Sequence, residues 1–211
     1  MALFHTEIFS QSLGMWVAVE VILPQRRRLG ASDVPEDEKF KTLYLLHGMS
    51  DDETIWLRRT SIERYATRLG LAVVMPAGHL SSYADMAHGG KYYTYIAKEL
   101  PEAMRTYFPL SDRREDNYIA GLSMGGMQTI NIGICECLDI ISWFGAFSAA
   151  PTSYAASKVA NTINESEYNI DFFYNICGTN DGTAYWSHSN AAKNLNLYSD
   201  KLTVGKNYKW Q

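Results

Sequence analysis

Ten consecutive residues frame the reading of this chain: Asn117-Tyr118-Ile119-Ala120-Gly121-Leu122-Ser123-Met124-Gly125-Gly126. A bare Gly-x-Ser-x-Gly pattern arises by chance in roughly one chain in ten of this length, so its surroundings must carry the argument. Residues 118–120 form a short apolar run of strand character. Beyond the turn, Met127, Ile130, Ile134 and Leu138 recur at helical spacing, which predicts a helix with a buried face. Strand, sharp turn and helix in that order are the context in which such a serine becomes a nucleophile. The small residues at 121 and 125 allow a turn tight enough to lift the Ser123 hydroxyl clear of a sheet.

The rest of the chain supplies that sheet. Residues 3–10 and 14–24 read as two strands joined by a turn. In the second, Trp16, Ala18, Glu20 and Ile22 alternate with Val17, Val19, Val21 and Leu23, a half-buried pattern suited to antiparallel pairing. Residues 25–39 are a polar loop. Continuous apolar runs at 43–46 and 71–76 suggest strands covered on both faces. Further strands are expected at 118–120, 143–148, 171–177 and 207–210. Helices are expected at 61–69, 92–108 and 184–198, with Pro101 kinking or restarting the second. Residues 151–169, polar and rich in Ala, Ser and Asn, read as a surface excursion holding one helical turn. Strands alternating with helices after an antiparallel start predict a single α/β domain over 1–211 with a mostly parallel sheet and helices on both faces.

Composition narrows the partners. With a net charge of −4 and charged residues at 20%, the chain carries no field that favours nucleic acid. Arg26-Arg27-Arg28 is the only basic run, and Asp33, Glu36, Asp37 and Glu38 nearly cancel it. No apolar stretch approaches the ~20 residues of a membrane span, and the first residues lack the pattern of a secretory signal. Cys135 and Cys137 would sit about 200° apart on one helix, unable to face one metal. Three cysteines therefore read as free thiols, which fits the cytoplasm.

Ligands of such a sheet belong at the carboxyl ends of its strands, where Met49, Ser123 and Asp181 all fall. Ser123 is a candidate nucleophile for acyl transfer. The amide of Met124 is one expected oxyanion donor, and His47-Gly48-Met49 is placed to supply a second. Asp181, in a Gly-Thr-Asn-Asp-Gly turn, is the candidate acid that would orient a histidine. Asp171, at the opposite end of the same strand, is a poor rival. Trp56, with Tyr83, Tyr92, Tyr93 and Trp186, could line a pocket and stack on an aromatic acyl group; packing into the core is the competing role.

Leu45-Leu46-His47-Gly48-Met49, Trp56-Leu57-Arg58-Arg59-Thr60, Glu99-Leu100-Pro101, Gly121-Leu122-Ser123-Met124-Gly125-Gly126 and Cys177-Gly178-Thr179-Asn180-Asp181 together resemble the esterase D and antigen 85-like branch of the α/β-hydrolases. Within it, the resemblance is greatest to small bacterial tributyrin and feruloyl esterases. It implies a serine carboxylesterase acting on small acetyl, butyryl or hydroxycinnamoyl esters, with Ser123 as nucleophile, Asp181 as triad acid and the amides of Met49 and Met124 as oxyanion hole. No metal or organic cofactor is implied, and the partner is a small-molecule ester, with a homo-oligomer open. An S-formylglutathione hydrolase-type thioesterase and a catalytically dead binding module are the alternatives. One departure stands out. The order in α/β-hydrolases is Ser, Asp, His, yet only His188 follows Asp181, within the expected helix 184–198 rather than in a loop after a strand. The expectation is a C-terminally truncated, nearly inactive chain lacking its His loop and last helix, with an apolar strip of sheet left bare.

Overall fold

The structure, a computed structural model, describes residues 1–25, 38–149, 153–182, 195 and 199–211. Eight strands form one sheet in the order β1-β2-β4-β3-β5-β6-β7-β8. They are β1 (Ala2–Ser10), β2 (Met15–Leu23), β3 (Thr42–Leu46), β4 (Ala72–Pro76), β5 (Asn117–Leu122), β6 (Trp143–Phe147), β7 (Phe172–Ile176) and β8 (Tyr208–Trp210). The β1–β2 and β2–β4 pairings are antiparallel, and the other five are parallel. All eight strands lie where the apolar runs predict them.

Alternation along the strands sorts side chains onto two covered faces. Val19, Val21, Tyr44, Leu46, Val74, Ile119, Phe144 and Phe173 point into the larger core. Ile22, Leu45, Val73, Met75 and Ala120 point to the smaller one, with Ala66 and the partly buried Trp56 and Leu57. These last three lie on α1 (Ile55–Arg59) and α2 (Ile62–Leu69). Because both faces are buried, β3 and β4 read as unbroken apolar runs.

The larger core lies under α3 (Tyr92–Thr94), α4 (Leu100–Tyr107), α5 (Met124–Gln128) and α6 (Ser153–Glu165). A π-helical stretch at Tyr95–Glu99 runs straight into α4, and Pro101, which has no N–H to donate to the preceding turn, sits at this change of helix type. Glu99 accepts hydrogen bonds from Ser10 Oγ (2.8 Å) and from the amides of Gln11 (2.6 Å) and Ser12 (3.1 Å). One carboxylate thus ties this helix to the β1–β2 turn.

Two expectations need correction. Residues 151–169 are no loose excursion, because α6 is a 13-residue helix that buries Ala156, Val159, Ala160 and Ile163. Its apolar stripe is largely alanine, which made it read as surface. The helix after Ser123 is also not one regular stripe. It turns π-helical over Thr129–Ile134, and Ile132 is buried with Ile130 and Ile134 while Met127 is only half-buried. Ile132 shares a small cleft with Val159 of α6, so this helix is covered on the side that would otherwise meet solvent.

Candidate active site

Adjacent parallel strands bring their carboxyl ends to one edge, and the candidate residues lie along it. β5 ends at Leu122, and Ser123 follows with φ 53° and ψ −111° before α5 begins. For a residue with a Cβ this backbone is strained. It is held by hydrogen bonds from the Ser123 amide to Phe147 O and from the Met127 amide to Ser123 O, both 2.8 Å. A Cβ on Gly125 would lie 2.6 Å from Leu46 O and 2.7 Å from His47 O, so only glycine lets the start of α5 abut the end of β3. Ser123 itself is exposed.

The loop after β3 packs against this turn. A Cβ built on Gly48 would stand 3.7 Å from Ser123 Cβ and 3.4 Å from Leu122 O, which puts His47-Gly48-Met49 beside the nucleophile candidate. Met124 is the first residue of α5, so its amide has no intrahelical acceptor. On position, the amides of Met49 and Met124 can meet an oxygen held near Ser123.

His47 has a structural task. It is 1% exposed. Its Nε2 accepts the Gly78 amide at 2.8 Å, and its Nδ1 lies 2.7 Å from Gly48 O. Since Nε2 accepts, Nδ1 carries the proton and donates it to Gly48 O. Burial pushes the His47 pKa below its ordinary 6.5, although the Gly48 hydrogen bond and the nearby Asp51 carboxylate oppose the shift. A neutral imidazole with both nitrogens engaged buttresses the oxyanion loop and is not a base for Ser123. Tyr83 is fully buried and donates to His47 O at 3.2 Å, while Tyr92, also buried, pairs with His79 at 2.8 Å. Both aromatics therefore build the scaffold rather than line a pocket. Trp56 is half-buried, donates from Nε1 to Leu46 O at 3.2 Å and packs edge-on against Phe147. The sequence offers packing into the core as the competing role for these aromatics, and the structure bears that role out for Tyr83 and Tyr92; their hydrogen-bond partners depend on where loops meet.

Asp181 follows β7 in a turn closed by its amide on Gly178 O at 3.0 Å. The Cys177 thiol donates to Gly178 O at 3.7 Å, and its pKa is raised first by burial and then by the nearby Asp181 carboxylate. β6 alone separates β5 from β7, and two strand spacings make roughly 10 Å. An imidazole hydrogen-bonded at both nitrogens spans roughly 8 Å, a little less than that separation. Asp171 lies at the far end of β7, 4.0 Å from Arg114. Trp186, His188 and most of the expected helix 184–198 fall outside the described residues. Among the described histidines, His5 pairs with Glu20 at 2.6 Å on the outer strands, and His88 lies in the loop that meets the β1–β2 turn through Lys91 and Gly90. Among the described residues, no group of three or more His, Cys, Asp or Glu could hold a metal ion, and no helix is long and apolar enough to cross a membrane.

An esterase family described as "Putative esterase" matches residues 10–189. The chain belongs to this esterase family. An acetyl esterase of Caldicellulosiruptor saccharolyticus is 33% identical over 137 residues, which cover 64% of this chain and 51% of the relative. The match thus spans about half the length of that curated relative. Among solved structures, the Staphylococcus aureus fluorophosphonate-binding serine hydrolase FphF, substrate bound, is similar with a TM-score of 0.83 and 30% identity, covering 100% of this chain and 89% of that one. The S-formylglutathione hydrolase FrmB of the same organism follows at 0.75 and 29%, with the same coverage. Strand order, elbow and esterase-family relatives together make this an α/β-hydrolase fold.

Proposed function

We propose that this member of the esterase family is a serine carboxylesterase that hydrolyses small acyl esters through an acyl-enzyme. The observation that carries the reading is the strained Ser123 at the β5–α5 turn, exposed and adjacent to the Gly48 loop. Ser123 Oγ attacks the ester carbonyl carbon, and the carbonyl oxygen takes up the negative charge. The amides of Met49 and Met124 stabilise that oxyanion. Collapse expels the alcohol, which takes up a proton, and leaves an acyl-Ser123 ester. Water then attacks this ester, releasing the acid and restoring the hydroxyl. Asp181 is the acid that would hold an imidazole between itself and Ser123. The similarity to acetyl esterase supports small acyl groups, and no cofactor enters these steps.

A thioesterase reading of the S-formylglutathione hydrolase type draws support from the likeness to FrmB. Comparing acetyl, butyryl and feruloyl esters with S-formylglutathione separates the two. Among the described residues the histidines are engaged elsewhere or lie on other loops, and we infer that Ser123 is weakly activated. The chain's p-nitrophenyl acetate turnover is expected to fall orders of magnitude below the ~10 s⁻¹ of an ordinary enzyme, and His188→Ala should leave it within about twofold. Turnover abolished by His188→Ala would instead make His188 the base. Prolonged exposure to a fluorophosphonate should label Ser123, read by peptide mass spectrometry. Label at another residue, or none, would count against Ser123 as nucleophile and favour a binding module.

A further inference from the structure

We propose that Asp51 sets the charge preference of the site, admitting neutral and cationic esters and disfavouring anionic ones. The inference rests on the reading of Ser123 as nucleophile. Its geometry comes from the contacts around Gly48, which bring Asp51 close to the nucleophile. A Cβ there would lie 3.2 Å from Asp51 Oδ2, 3.4 Å from Leu122 O and 3.7 Å from Ser123 Cβ. The Asp51 carboxylate oxygen therefore lies within about 7 Å of Ser123 Cβ. A carboxylate at that distance attracts a cationic substrate group and repels an anionic one.

The surrounding charges do not cancel Asp51. Its amide closes a turn on Gly48 O at 3.2 Å, which fixes the residue beside the loop. Among the described residues no side chain pairs with its carboxylate. Arg58, on the adjoining α1, is committed to Asp52 at 3.0 and 3.1 Å. His47, the other basic group in the loop, is held neutral by burial. Glu53 and Asp52 add to the negative field that reaches His47, and the field of Asp51 extends to the Tyr83 hydroxyl.

The size of the effect follows from Coulomb's law. A substrate carboxylate about 7 Å from Asp51 would lose roughly fiftyfold in affinity at an effective dielectric of ~20, and roughly threefold in bulk water. Asp51 is half-buried, so about tenfold is expected. Ordinary salt screens exposed charges over roughly 10 Å, so the discrimination should shrink as ionic strength rises.

The test measures binding, so that a weakly activated serine does not blind it. Full-length Ser123→Ala keeps thioesters intact. Its Kd values would be measured by NMR for three S-butyryl thioesters, those of 2-mercaptoethanol (neutral), thiocholine (cationic) and 3-mercaptopropionate (anionic). The anionic compound should bind about tenfold more weakly than the neutral one, and the cationic one at least as well as the neutral. Adding Asp51→Asn should bring all three within about threefold, whereas Asp52→Asn, at a carboxylate already neutralised by Arg58, should preserve the order. Equal Kd values without the Asp51 change, or an order that survives Asp51→Asn, overturn the inference and leave the esterase reading standing. If none of the thioesters binds, the inference falls, while the esterase reading stands or falls on the fluorophosphonate label at Ser123.

Discussion

Ser123 and His47 sit at the ends of neighbouring strands and divide the labour of the site. Ser123 was legible in the sequence because a strained elbow needs small residues at fixed offsets, and Gly121 and Gly125 supply them. His47 was legible only as part of a loop, since its partners, Gly78 N–H and Gly48 O, come together through folding. The tautomer those partners impose has a consequence for stability. Burial lowers the folded-state pKa of His47 below 6.5, while the unfolded chain keeps the ordinary value. Between those two values the unfolded state binds the additional proton, so stability rises with pH there. This contribution is complete above about pH 6.5 and is lost as pH falls through the folded value. His47→Gln should therefore flatten the loss of stability below about pH 6.5, measured as urea midpoints at several pH values. It should also lower stability at pH 7.5 by about 1–3 kcal/mol, because a buried donor and acceptor lose their partner. An unchanged acid slope would show that folding does not alter the proton affinity of His47.

The β1–β2 hairpin is held at the edge of the sheet by one side chain from a distant helix. Glu99 receives three hydrogen bonds from residues 10–12. Burial alone would raise its pKa, and the bonds from Ser12, Ser10 and the hairpin amides outweigh burial and hold it below its ordinary 4.5. Its contribution is therefore present at neutral pH and lost as pH falls through the lowered value. Glu99→Gln keeps the shape but removes the charge, and hydrogen bonds to charged acceptors are the stronger kind. A loss of about 1–3 kcal/mol is expected, with faster amide exchange confined to the hairpin turn. Uniform exchange throughout would contradict this local anchoring. The Glu99-Leu100-Pro101 triplet thus has a physical meaning that spacing alone could not reveal. The eight strands were legible because unbroken or alternating apolar runs have few other uses. α6 was not, because Ala156 and Ala160 bury little area and resemble loop residues, and the π-helical stretches lack a spacing signature of their own.

At the scale of the molecule, the described residues cover the smaller core unevenly. α1 and α2 cover β3 and β4, but over β5, β6 and β7 no helix among the described residues covers that face. There Tyr118, Trp143 and Phe172 sit side by side in register on adjacent strands, with ring centroids 5.9 and 5.2 Å apart. With Leu43, Leu69, Leu71 and Tyr174 they line an open groove of about 460 Å³, and Trp143 is 46% exposed. Aromatic rungs are strongly hydrophobic and normally lie under a second layer. An open apolar groove of this kind binds amphiphilic dyes. The folded chain should therefore enhance 1-anilinonaphthalene-8-sulfonate fluorescence under native conditions, well below any thermal transition. Trp143→Ser removes the central rung, so it should cut that enhancement by at least about half. Because Trp143 is already half in water, only a small part of its ~1.5–3 kcal/mol of transfer energy is at stake in folding, and the melting temperature should shift by no more than a few degrees. Undiminished fluorescence in a folded Trp143→Ser chain would move the dye site elsewhere, whereas a large fall in melting temperature would show that the ladder belongs to the core.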